Sequence, residues 1–148
     1  MPKNSSNNPK NYDRKRGHRV AVGQIQVSIC FSWSKLDNNQ GQTIDEWEKE
    51  ELLSKLSKRL QQIGQFESSH ALAQQLIKQY TKIGFPENSK FKEPDHVKPN
   101  YWAVIHLTQK SKEVVAGYLE ENVFYIVFLD KEHLFWPTDI QSRGKNKR

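Results

Sequence analysis

The chain has 148 residues, 35% hydrophobic and 11% aromatic, with a mean hydropathy of −0.86 and a formal charge of +6. That length suits one domain around one core, and the aromatic content is too high for a wholly disordered protein. No run approaches the ~18 apolar residues of a membrane span, and "MPKNSSNNPKNYDRKRGHR" lacks the apolar stretch of a secretory signal, so the reading is a cytoplasmic protein with no membrane partner.

The positive charge sits at the ends. Residues 1–19 carry Lys3, Lys10, Arg14, Lys15, Arg16 and Arg19 against Asp13, a net +5. Residues 141–148 carry Arg143, Lys145, Lys147 and Arg148, a net +4, which leaves −3 for residues 20–140. Lysine and arginine supply most non-specific affinity for phosphate backbones, so the two tails are the expected nucleic-acid contacts, with RNA ahead of DNA. The alternative is that they only solubilise a domain spanning 20–140.

"RVAVGQIQVSICFSW", Arg19 to Trp33, has the β-branched and aromatic content of a strand, with a bend at Gly23. Cys30 lies within it. A single cysteine excludes an internal disulfide and a cysteine-based zinc site, and Cys30 reads as a small buried apolar residue. Next, Thr43 and Glu46 fit a capping box, and Ile44, Trp47, Leu53, Leu56, Leu60 and Ile63 recur at three- and four-residue steps, predicting a helix over 43–64 stopped by Gly64. A second helix is expected over 69–83, with Leu72, Leu76, Ile77, Tyr80 and Ile83 inward and "GFP" as its end.

"PENSKFKEPDHVKPN", with three prolines, reads as an extended loop, and His96 and Asp95 within it as exposed. Three strands follow in "YWAVIHLT", "EVVAGYLE" and "NVFYIVFLD", the last two joined at Glu120-Glu121-Asn122 as a hairpin. The order is β-α-α-β-β-β, an α+β fold with a helical hairpin packed on an antiparallel sheet. Trp47, Leu56, Leu60, Leu76, Phe124, Ile126 and Phe128 are the expected core. Both faces of the last strand are apolar, so it should be an interior strand whose second face is covered by the proline-rich loop, the flank of the first strand or a partner.

Tyr101, Trp102, Tyr118, Tyr125, Phe128, Phe135 and Trp136 can be read as a base-stacking platform, but such platforms need exposed rings with basic neighbours, and core is the plainer reading. Chemistry concentrates at "LDKEH". His133 stands beside Asp130 and Glu132 where a strand yields to a turn, and a histidine beside carboxylates can act as a general acid or base. The competing reading is a polar turn closed by the Asp130 side chain. His106 either faces this site or is satisfied within the sheet. The spacings match no metal motif, and there is no glycine-rich phosphate loop or G-x-S-x-G, so neither metal nor cofactor is expected.

The element order, the size and the histidine of "LDKEHLFW" resemble the RelE/ParE-type toxin fold. That resemblance implies a metal-independent endoribonuclease using His133 with Asp130 or Glu132, and an antitoxin as partner. In ribonucleases of that fold arginines and lysines cluster on the sheet, whereas Arg59 is the only arginine in residues 20–140. Two functions are therefore carried forward: a nucleic-acid-associated binding or accessory protein with an aromatic surface for a protein partner, and a toxin-like ribonuclease.

Overall fold

The computed structural model describes residues 27–109 and 111–137. Both basic tails, and the expected strand before Val27, lie outside the described residues. Within them the chain forms β1 (Cys30–Ser32), α1 (Ile44–Lys49), α2 (Leu52–Ile63), α3 (Ser68–Ala73), β2 (Lys78–Tyr80), β3 (Trp102–His106), β4 (Val114–Glu120) and β5 (Val123–Asp130). The fold is α+β, with helices on one face of a five-stranded sheet ordered β1-β5-β4-β3-β2. Neighbours from β2 to β5 run antiparallel, and β1 joins β5 in parallel.

Thr43 and Glu46 form the capping box: the Glu46 amide donates to Thr43 Oγ1 at 3.1 Å and the Thr43 amide to Glu46 Oε1 at 2.7 Å. The single helix expected after it is broken in two. Glu51 adopts φ 62°, a left-handed conformation between α1 and α2. Acidic Glu48, Glu50 and Glu51 at the negative end of α1 oppose its dipole, which favours ending the first helix there.

The expected helix over 69–83 is also shorter. After α3, the Gln75 amide bonds to the Leu72 carbonyl and the Leu76 amide to the Ala71 carbonyl, with Gln75 at φ 58°. This is a Schellman stop with glutamine where glycine usually sits. The chain then extends as β2, where Lys78, Gln79 and Tyr80 pair with Val104, Ala103 and Trp102. Tyr80 thus packs in the sheet's second core and Ile83 is 42% exposed.

Two apolar layers flank the sheet. Trp47, Leu56, Ile63, Ile105, Phe124, Ile126 and Leu129 form the layer under the helices, with Leu60 and Leu76 partly buried against it. Trp102, Val104, Ala116, Val127, Phe128 and Phe135 form the other, covered by Phe85, Phe91 and Val97 of the proline-rich loop. The loop therefore closes the second face of β5. It is fastened by Trp102 Nε1 donating to Glu93 Oε2 at 2.9 Å and by a reciprocal pair between the Gln40 amide and the Lys92 backbone. Phe128 belongs to this second layer, not beside Phe124 and Ile126. The register between β4 and β5 slips at Ala116/Gly117, since Ala116 pairs with Phe128 and Gly117 with Ile126. Val127 is the extra residue of a β-bulge, and every side chain beyond it changes face.

Cys30 is exposed, against expectation. Ile29 and Phe31 turn to the helix layer, and strand alternation sends Cys30 the other way on an edge strand.

Close packing at the bulge predicts the effect of a single methyl group. A Cβ on Gly117 would lie 1.8 Å from the Tyr125 carbonyl oxygen, whereas one on Gly84 would meet nothing within 4 Å. Gly117→Ala should cost roughly 3 kcal/mol in a urea titration, and Gly84→Ala no more than about 0.5 kcal/mol. Comparable midpoints for the two variants would refute the register.

Candidate functional site

The bulge decides where Asp130 points. Asp130 pairs with Val114, whose neighbour on β3 is His106, so all three face the side away from the helices. Asp130 is fully buried. Its Oδ1 accepts from the Leu134 amide at 2.8 Å and its Oδ2 from the Phe135 amide at 2.7 Å. Burial raises its carboxyl above the ordinary range, against the opposing pull of those amides and of His133. Asp130 closes the turn, and that turn drives Phe135 into the second core layer.

His133 stands in the same turn at φ 61°, an uncommon conformation for a side chain with a Cβ. Its Nδ1 is buried without a hydrogen-bond partner among the described residues. Its ring centroid lies 5.4 Å from that of His106. Glu132 turns outward to Lys112, Oε1 to Nζ 2.9 Å, and this ion pair holds its carboxyl below the usual range. Of the expected trio, His133 and Asp130 are together while Glu132 is engaged elsewhere.

His106 is the member the sequence left undecided, and the geometry orients it. Its Nδ1 lies 3.1 Å from the Ser111 carbonyl. A carbonyl only accepts, so the proton is on Nδ1 and the neutral ring keeps its lone pair on Nε2. Burial lowers the pKa of His106, more than the Ser111 bond raises it, and the charges of Lys78, His133 and Arg59 push the same way as burial. Burial thus favours the neutral form of His106, in which Nδ1 carries the proton and Nε2 the lone pair.

Three clefts lie along α2 and the start of β2, and one of them reaches His106. An outer cleft of about 360 Å³ lies between α2 and the loop after β3, lined by Lys55, Lys58, Arg59, Gln62, Leu76, Leu107, Thr108 and Gln109. The inner cleft, about 250 Å³, is lined by Arg59, Gln74, Gln75, Leu76, Lys78, His106 and Gln109. A third of about 350 Å³ continues past Gln75 and Lys78 to Gln79 and Thr81. Among the described residues no aspartate or glutamate lines any of them. Lys55, Lys58, Arg59 and Gln62 recur at helical spacing beside the buried stripe of α2, so they share a flank. Arg59 is held in place: Nε donates to the His106 carbonyl at 3.0 Å and Nη1 to Gln62 Oε1 at 3.3 Å. Ion pairs recorded among the described residues engage Lys98, Lys112 and Lys131, not the lysines of these clefts. Arg59 is the tethered cation of this cluster and Lys55, Lys58 and Lys78 are exposed around it, an arrangement whose field can attract an anion.

Sequence reasoning placed the nucleic-acid contacts at Lys10, Arg14, Lys15, Arg16, Arg19, Arg143, Lys145, Lys147 and Arg148, all outside the described residues. It missed the clefts. The α2 flank was readable from spacing, but Lys78 was assigned to a helix, and only the pairing of β2 with β3 carries it to His106. Six of the seven aromatic residues pack in the second core layer, where Trp102 and Phe128 stack at 5.7 Å, while Tyr101 is 45% exposed. Among the described residues no helix is long and apolar enough to cross a membrane. No protein-family model, curated protein or solved structure matches the chain.

Two stability predictions follow from the geometry. Asp130→Ala leaves the Leu134 and Phe135 amides without acceptors in a buried turn and should cost about 3 kcal/mol in chemical denaturation. A value near zero would show that the turn does not depend on the carboxylate. His106 has a folded pKa below its ordinary value of 6.5, so the unfolded chain binds its proton first. The stability it confers is complete above 6.5 and is lost as pH falls toward the folded pKa. His106→Gln should flatten that decline in thermal melts between about pH 5 and about pH 7.5, whereas an unchanged profile would assign the decline to other groups.

Proposed function

We propose that this chain is a nucleic-acid-associated binding or accessory protein whose folded body holds phosphate in the clefts beside α2, assisted by the basic tails. One observation carries the reading: Lys55, Lys58, Arg59 and Lys78 converge on connected clefts that, among the described residues, no carboxylate lines. Neutralising phosphates releases counterions, and each contact contributes to a salt-dependent affinity. The net charge of −3 on residues 20–140 does not oppose this, because local clusters and not totals set the field in a cleft.

A second reading is supported by the two imidazoles that lie side by side at the end of the sheet, on the face away from the helices. A neutral His106 with Nε2 free is a general base, and His133 at 5.4 Å is a second proton carrier, the pair a metal-independent ribonuclease needs. In this reading His106 replaces Asp130 and Glu132 as the partner of His133. Incubation of the chain with end-labelled RNA, with His106→Ala and His133→Ala alongside, tests it; intact RNA after long incubation rejects it.

The binding reading is tested by filter-binding titrations from about 50 mM to about 200 mM salt. Replacing Lys55, Lys58 and Lys78 with glutamine should reduce the slope of log affinity against log salt by about 0.7 to 0.9 for each contact removed. Deleting residues 1–19 and 141–148 measures the share of the tails. Unchanged affinity and slope in the triple variant would reject the clefts as the binding site.

A further inference from the structure

We propose that the three clefts form one track for a single-stranded polynucleotide, laid from the flank of α2, over Arg59, to the edge of β2. This rests on the phosphate-holding reading above and adds the form of the ligand.

Continuity comes first. The outer and inner clefts share Arg59, Leu76 and Gln109, and the inner and third clefts share Gln75 and Lys78. A row of clefts joined through their cations suits a linear polyanion better than an isolated phosphate.

Depth selects one strand. Arg59 is half-buried and tethered to the His106 carbonyl, so its charge lies at the floor of the track and not on a protruding ridge. Volumes of about 250 to 360 Å³ fall at the low end of the range for small-ligand pockets. Such a cleft admits the phosphate, sugar and base of one chain. A duplex is rigid and wide, and it presents its phosphates to convex or inserted protein elements.

The chemistry of the walls agrees. Gln74, Gln75 and Gln109 stand between the cations, and each amide carries both donors and acceptors. The hydrogen-bonding edges of bases are free for such groups only in an unpaired strand. Among the described residues no Phe, Tyr or Trp lines the clefts. Stacking therefore contributes little, and affinity should be dominated by phosphate contacts, tolerant of sequence and sensitive to salt.

The test measures fluorescence anisotropy of the full chain with a labelled single-stranded RNA, the DNA of the same sequence and the corresponding duplex. A variant with Lys55, Arg59 and Lys78 changed to glutamine is run beside the parent, with thermal melts to confirm folding. The single strands should bind more tightly than the duplex, and the variant should lose about ten-fold in single-strand affinity at low salt while duplex binding through the tails changes little. RNA binding above DNA would add a 2′-hydroxyl contact, and equal binding would place recognition on phosphates and bases; either result fits the track. Duplex binding as tight as single-strand binding, with both weakened equally in the variant, would overturn the track and leave the phosphate reading standing. No dependence of any binding on these three residues would overturn both. As a check that needs no mutation, the Nε proton of Arg59 should shift in NMR on addition of the single strand and stay unmoved on addition of the duplex; the reverse pattern would also overturn the proposal.

Discussion

The extra residue at Val127 is the constraint on which the rest of the molecule depends. Up to Ile126 the last strand keeps strict alternation, with Phe124 and Ile126 under the helices; after it, Leu129 takes the helix side and Asp130 the loop side. Without the bulge Asp130 would enter an apolar layer that offers it no partners. With it, the carboxylate meets two backbone amides and anchors the turn that carries His133 and Phe135. The bulge is itself held from both sides. Gly117 allows the Tyr125 carbonyl to approach, and the Asp37 amide takes up the Val127 carbonyl at 2.8 Å. One extra residue, itself buried in the second core layer, thus sets which groups meet at the far end of the sheet.

Charge is sorted by element and not spread evenly. Asp45, Glu46, Glu48, Glu50 and Glu51 fall on α1 and the break after it, while Lys55, Lys58 and Arg59 follow on α2. Apart from Lys49 at the end of α1, the left-handed Glu51 separates the two signs. A single straight helix would have run its acids up to the cationic flank. The break instead leaves Glu50 to pair with Lys131 at 2.6 Å on the other side, away from the clefts. The positive field beside α2 is therefore a product of backbone geometry as much as of composition.

Much of the framework was legible because it rests on local chemistry. The Thr43–Glu46 box, the apolar stripe through Leu56 and Ile63, the β4–β5 hairpin and the two-faced burial of β5 all follow from period and capping. What escaped was decided by contacts distant in sequence. Glutamine at a helix stop carries no signal, so the end of α3 and the strand at Lys78 are visible only through pairing with β3. The bulge is equally silent, since "FYIVFL" is apolar at every position and no residue marks the slip. Both misses bear on function, because Lys78 and Asp130 owe their places to them. Cys30 is a different case: the parity of Ile29 and Phe31 already pointed it outward, and its apolar setting concealed this.

The parallel pairing of β1 with β5 has a consequence for how the chain acquires this shape. Ser28 accepts from Asn122 across 94 positions of sequence, and among the described residues β5 is the only strand paired with β1. The antiparallel strands from β2 to β5 can zip progressively through local turns, but β1 must wait for the last strand of the domain. Closing so long a loop carries its entropy loss before any contact rewards it. During synthesis the segment around Ile29 and Phe31 emerges first and pairs last, so its apolar side chains stay open to chaperones or to other nascent chains until β5 leaves the ribosome.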